Sequence, residues 1–166
     1  MGARNYLVEG VSGTGKTAVC HALRERGFEA VNGDRELAYQ GDPVTGEPTD
    51  TASHWHHVWS VPRLTALLED RRHPVTFFCG GSRNTASFLH LFDGVVVLEV
   101  DVDTLTGRLA GRGPDEFGGA ADERDLVLRL HATGEDTPTA DLRVDATAPL
   151  DEVVDAILAG LGLTGP

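Results

Sequence analysis

Gly10-Val-Ser-Gly-Thr-Gly-Lys16-Thr17 is the stretch on which the reading of this chain turns. Its eight residues fit the phosphate-binding loop pattern G-x-x-x-x-G-K-[ST] at every fixed position. Lys16 is the sole lysine, and the other 13 of the 14 basic residues are arginine. Guanidinium is a broad planar fork and ammonium a compact charge on a flexible stem. A β/γ-phosphate pair lying over backbone amides calls for the compact group.

The flanks fit the same reading. Residues 5–9 predict a short buried strand, and residues 17–26 predict a helix with Val19 and Leu23 on its apolar face. The motif thus falls where a helix N-terminus, with its free N–H groups, faces an anion. Gly10, Gly13 and Gly15 let the backbone approach phosphate oxygens without Cβ interference, while Val11, Ser12 and Thr14 complete the cradle. Thr17 offers its hydroxyl to a magnesium ion. The expected ligand is a nucleoside triphosphate.

A chain of 166 residues suits one domain, spanning 1–166, with a sizeable core. The net charge of −12, with no basic run or stripe, argues against a nucleic-acid or anionic-membrane partner. No apolar run is long enough for a bilayer and no signal-peptide pattern is visible. Cys20 and Cys79 stand in no metal or redox spacing, which predicts a reduced, cytoplasmic setting.

Strand-like and helix-like segments alternate, predicting an α/β fold with a parallel sheet and helices on both faces. After the first strand and helix come strands over 28–32, 74–79, 94–100 and 142–146. Helices are expected over 61–72, with Leu64, Leu67 and Leu68 on one face, from Ser82 to about Leu91, from Asp103 as cap through Leu109, over 122–131 and over 150–161. Residues 33–51 form a turn-bearing excursion, and 111–121 break pattern, with five of eleven residues Gly or Pro. Ligands of such sheets bind beyond the carboxyl ends of the strands.

With these motifs in order, the chain resembles the small P-loop kinases: shikimate, gluconate and adenylate kinases and the related nucleoside kinases. The resemblance implies a three-layer P-loop fold with a five-stranded sheet of order 2-3-1-4-5, an acceptor-side insertion (about 33–72) and a lid (about 111–121). It implies ATP, Mg2+ and a small-molecule acceptor. Asn32-Gly-Asp34 is similar to the family's acid near magnesium and the acceptor hydroxyl. Cys79-Gly80-Gly81 resembles the glycine cluster of shikimate kinases. Arg108-Leu-Ala-Gly-Arg112 resembles the lid arginines, and Asp145, Ala146 and Thr147 the adenine-contacting loop. One departure stands out: a phosphate-loop enzyme often holds magnesium with an aspartate ending a neighbouring strand, and Phe77-Phe-Cys-Gly-Gly81 offers none. Magnesium would then rest on Thr17, phosphates and water, with Asp34 the nearest carboxylate, acting through water.

Phosphoryl transfer needs positioning and charge neutralisation. Lys16 fills that role at the β/γ-phosphates, and Arg112, ahead of Arg108, would meet charge developing on the transferred group; otherwise both are surface charge. Asp34 either orients or deprotonates an acceptor hydroxyl or caps a short helix beginning at Arg35. Arg83 faces the acceptor beside Gly80 and Gly81, or forms a structural ion pair. His54-Trp-His-His-Val-Trp59 places two indoles four residues apart, sharing a face if helical. Trp55 and Trp59 would then stack on a base or sugar with His57 supplying a hydrogen bond, or would form a small aromatic core holding the insertion. The γ-phosphoryl group would pass to a hydroxyl or a phosphate of a compact acceptor, and the paired indoles favour a nucleoside or nucleotide, ahead of a sugar acid or cyclic alcohol. From another class, a regulatory nucleotide-binding module or slow ATPase would lack an acceptor pocket. A GTPase is disfavoured, because a chain whose only lysine is Lys16 holds no N-K-x-D stretch.

Overall fold

The computed structural model describes residues 3–165. Five parallel strands form the main sheet: β1 (Arg4–Glu9), β2 (Glu29–Asn32), β5 (Val75–Cys79), β6 (Gly94–Glu99) and β7 (Leu142–Asp145). Their order is β2-β5-β1-β6-β7. Counting these strands alone, that is the expected 2-3-1-4-5. A separate antiparallel ribbon, β3 (Ala38–Gln40) with β4 (His57–Trp59), lies within the insertion.

The strands lack the polar alternation of a half-exposed sheet because both faces are covered. Leu7 pairs in register with Phe78 and with Val95. These side chains, with Val31 and Val97, pack on one face against Trp59, Leu64 and Phe88. Tyr6, Val8, Phe77, Val96 and Leu98 point the other way, into a core with Val19, Leu23, Leu105 and Ile157. Helices α1 (Lys16–Glu25), α4 (Val102–Ala110) and α6 (Leu150–Gly160) supply that layer, and α3 (Val61–Glu69) supplies the opposite one. The remaining helices are the single-turn α2 (Gly33–Glu36) and α5 (Ala121–Thr133).

Several local expectations are corrected. Asp101, not Asp103, caps α4, accepting from Thr104 N at 2.7 Å. No α-helix follows Ser82. Two short 3-10 turns, Thr85–Ser87 and Leu89–Leu91, take its place, because Ser82 is otherwise engaged: its Oγ accepts from Trp59 N at 3.1 Å. Helix α3 stops at Glu69, three residues early, and leaves Leu67 partly exposed while Leu64 and Leu68 are buried. Asp34 is no cap. It sits in the first turn of α2, whose N-cap position is Asn32.

The two indoles do not share a helix face. Trp55 lies in a 3-10 turn (His54–His56) and is 44% exposed, whereas Trp59 ends β4 and is 0% exposed. Trp59 stacks on Phe88 with centroids 5.7 Å apart. Its ring fills the space beside Gly33 and Gly80, where a Cβ on either glycine would collide with it. Of the alternatives for Trp59, the aromatic core is the one found, so it is withdrawn as an acceptor contact.

Candidate active site

The phosphate loop leaves the carboxyl end of the central strand β1. Gly10 has φ +155° and Gly13 φ +95°; a Cβ at Gly10 would come within 2.7 Å of the Leu98 carbonyl oxygen, and one at Gly13 within 2.8 Å of Leu105. Only glycine closes the turn this tightly. Gly15 (φ +98°) then opens α1 without any side-chain cap. The helix's first N–H groups therefore have no partner within it. Lys16 folds back on the loop, donating from Nζ to the Gly10 carbonyl oxygen and to that of Val11 at 3.1 Å. Burial pushes its ammonium pKa down, opposed by Asp34 and Glu9.

Both lid-side arginines reach this loop. Arg108 Nη1 donates to the Gly13 carbonyl at 3.2 Å and Nη2 to the Ala146 carbonyl at 2.9 Å. It thereby ties the cradle to the segment holding Asp145, Ala146 and Thr147. Within that segment, Asp145 Oδ1 accepts from Thr147 N at 2.9 Å. Arg112 Nη1 donates to Ser12 Oγ at 2.7 Å and also to the Phe117 carbonyl. Residues 111–121 thus lie against the phosphate loop, with Phe117 turned inward.

On the other side of Lys16 a cavity of about 490 Å³ opens, lined by Asp34, His57, Gly81 and Arg83 from the expected set. Asp34 Oδ1 lies 3.1 Å from His57 Nε2 and accepts from Gly81 N at 3.1 Å. Burial alone would raise its pKa, but the His57 hydrogen bond, the Lys16 charge and the Gly81 N–H outweigh it. The carboxyl is held below its usual range and is ionised at neutral pH. Gly80 (φ +148°) passes close to Asp34, where a Cβ would lie 2.7 Å from Oδ1. Neither Trp55 nor Trp59 lines the cavity.

The cavity also holds groups that sequence reasoning missed. Glu9, the last residue of β1, is 2% exposed, and its Oε2 has no partner. Burial drives its pKa up to about 8, against the pull of Lys16 and Arg83. Its signal in the sequence was an acid directly after the apolar run Tyr6-Leu7-Val8. Asp136, in the α5–β7 connection, accepts from Arg83 Nη1 at 2.6 Å and lies 3.3 Å from His54 Nε2. Nothing in its local pattern marked it. His54 in turn stacks on Phe117 with centroids 5.4 Å apart and planes 13° apart, so the insertion and the lid segment touch. Val127 and Leu130 of α5 give the cavity an apolar wall.

For magnesium, the chain offers the exposed Thr17 hydroxyl at the loop and the ionised Asp34 across from Lys16. No cluster of three or more His, Cys, Asp or Glu suited to a metal exists among the described residues. That donor set fits an ion carried mainly by phosphate oxygens and water.

A glycine-built phosphate cradle ending the central strand, in a sheet of this order and overlain by an arginine-bearing segment, is the architecture of the P-loop small kinases. A family model described as an AAA domain matches residues 7–128, and the chain belongs to that family. Among solved structures, the fold is similar to a gluconokinase from Sinorhizobium meliloti 1021 (22% identity, TM-score 0.59, 96% of this chain and 91% of that one). It is also similar to shikimate kinase from Bacteroides thetaiotaomicron (16% identity, TM-score 0.60, 96% and 99%). A tunicamycin resistance protein from Deinococcus radiodurans matches at 22% identity and TM-score 0.61, covering 99% of both chains. No curated protein matches the chain. No helix among the described residues is long and apolar enough to cross a membrane.

Proposed function

We propose that the chain is an ATP-dependent phosphotransferase that moves the γ-phosphoryl group to a hydroxyl of a compact small molecule. The observation that carries this is the ionised Asp34, oriented by His57 and Gly81 N, in the same cavity as Lys16. The cavity begins at the loop residues Gly10, Val11, Ser12 and Lys16, and a regulatory nucleotide-binding module has no need of its continuation to Asp34 and Arg83. The solved relatives described as gluconokinase and shikimate kinase lend the reading support.

In this mechanism the cradle of residues 10–17 binds the triphosphate through backbone N–H groups, and Lys16 leaves its loop carbonyls for the β/γ-phosphates. Asp34 accepts a hydrogen bond from the acceptor hydroxyl and points its oxygen at the γ-phosphorus. Arg112, next to the loop at Ser12, meets the charge that builds on the transferred group. Arg108 and residues 145–147 bound the nucleotide's base. Thr17 and, through water, Asp34 would hold magnesium, whose charge would offset that of the triphosphate. Phe117 and the apolar wall exclude water, which limits hydrolysis of ATP.

The support that paired indoles would have given a nucleoside or nucleotide acceptor is gone with the burial of Trp59. Phe117 and His54 are the aromatic groups actually available to a flat acceptor. The acidic surface and two free, buried cysteines support a reducing, cytoplasmic setting without nucleic acid. The test is incubation of wild type and Lys16→Ala with Mg-ATP and a metabolite library, with mass spectrometry for phosphorylated products. Wild type is expected to form one and the variant none. Equal product from a folded variant removes the proposal.

A further inference from the structure

The acceptor cavity contains one arginine, and its charge is already spent inside the protein. The Arg83 side chain is only 11% exposed and that of Asp136 8%. Nη1 is bound to Asp136 at 2.6 Å, Nη2 faces Glu9 Oε1 at 3.9 Å, and Nε is buried without a partner. His54 Nε2, 3.3 Å from the same Asp136 oxygen, braces the pair from the insertion side. A ligand carboxylate or phosphate could reach the guanidinium only by displacing a short charge-assisted bond and leaving Asp136 uncompensated. Breaking a buried pair in that way is strongly unfavourable.

The rest of the wall adds no lysine or arginine other than Lys16. Lys16 serves the triphosphate. Asp34 is a carboxylate already engaged by His57 Nε2 and the Gly81 amide, and Glu123, which also lines the cavity, accepts from Gly118 N at 2.9 Å and offers no positive charge. With Lys16 assigned to ATP and Arg83 held by Asp136, the acceptor side presents the carboxylates of Asp34 and Glu123, and its imidazoles, His54 and His57, are each already set against a carboxylate. Hydroxyls can be served at the Asp34, His57 and Glu9 end, while Phe117, Val127 and Leu130 face a less polar part.

Resting on the kinase reading above, we infer that the acceptor is a hydroxyl compound bearing no negative charge, uncharged or amine-bearing, and that the Arg83–Asp136 pair sets this preference. The oxygen of its hydroxyl attacks the γ-phosphorus as the bond to the β,γ-bridging oxygen breaks. A phosphate monoester and ADP form, and the hydroxyl proton is released to solvent. Nucleosides and neutral polyols fit this class. Nucleotides and sugar acids do not.

The test uses the wild-type protein, Mg-ATP and matched pairs that differ in one anionic group: uridine and UMP, glucitol and gluconate, and a cyclic polyol and its carboxylated counterpart, within a wider set of neutral, amine-bearing and anionic hydroxyl compounds. Lys16-dependent phosphorylation is expected for uncharged or amine-bearing members, with kcat/KM at least tenfold above the anionic partner. Asp136→Asn should then narrow that ratio tenfold or more, by freeing Arg83 to meet an anion. A wild-type enzyme that phosphorylates anionic members in preference overturns this inference and leaves the kinase reading standing. Product from no compound at all removes the kinase reading, and this inference with it. The wild-type comparison decides even if Asp136→Asn fails to fold.

Discussion

Glu9→Gln should change how stability depends on pH, in a direction fixed by where Glu9 sits. An ordinary glutamate has a value of 4.5, and burial raises Glu9 to about 8 in the folded protein, despite Lys16 and Arg83 and with Asp136 and Asp34 adding to the rise. Between these values the folded state holds a proton that the unfolded chain has released. Stability therefore falls as pH rises through that window, by about 1.4 kcal/mol per pH unit for one proton. From pH 5.5 to 7.5 the slope amounts to about 3 kcal/mol. Glutamine is nearly the same shape and does not titrate, so the variant lacks this one contribution. Any constant cost of placing an amide there is the same at every pH. Urea unfolding of both proteins at pH 5.5, 6.5 and 7.5 reads the difference directly. Glu9→Gln should gain about 3 kcal/mol on wild type across the series. A gap that stays constant would mean that Glu9 is ionised in the native state as the partner of Lys16 and Arg83, and the reasoning would be refuted.

Trp59→Ala should cost about 3–5 kcal/mol in denaturant unfolding, the range for a buried aromatic, whereas the exposed Trp55→Ala should stay within about 0.5 kcal/mol. Similar losses at the two sites would show the burial assignment to be wrong. Arg112→Ala should lower kcat much more than it weakens ATP-analogue binding, because its main contact forms in the transition state. Amides of residues 113–120 should become protected from hydrogen exchange once a non-hydrolysable ATP analogue and acceptor are bound. If they already exchange slowly in the free protein, the segment is a fixed loop and not a lid.

The phosphate cradle and the five strands were legible because each rests on local pattern, whereas the sheet order, and the places of Asp34, Arg108 and Arg112 beside the cradle, followed from the family resemblance. A glycine loop, an apolar strand or a charged residue at a strand end declares itself within a few residues. Asp136 was not legible: it meets Arg83 across 53 positions and His54 across 82, in a connection whose composition reads as an ordinary turn. Trp59 misled for a related reason. Helical spacing from Trp55 was read where the chain forms a 3-10 turn and then a strand, and the strand hydrogen-bonds to Ser82 and Asn84 far along the sequence. Glu9 was visible as an anomaly, but its unpartnered oxygen and raised pKa depend on what surrounds it.

The buried indole of Trp59 acts as a backstop. The edge of its ring meets the backbone of Gly33, beside Asp34, and that of Gly80, beside the amide that holds Asp34. Close-packed interiors do not compress, so the ring limits how closely the turns that follow β2 and β5 can settle onto the layer beneath, while the spacing of the two strands is held by their own pairing, Asn32 beside Cys79. The seat of Asp34 is thus supported from behind, by a residue that does not line the cavity. Exchanging lining side chains would re-contour the pocket and leave that seat in place. Moving it would require trading bulk between position 59 and the glycines at 33 and 80 together.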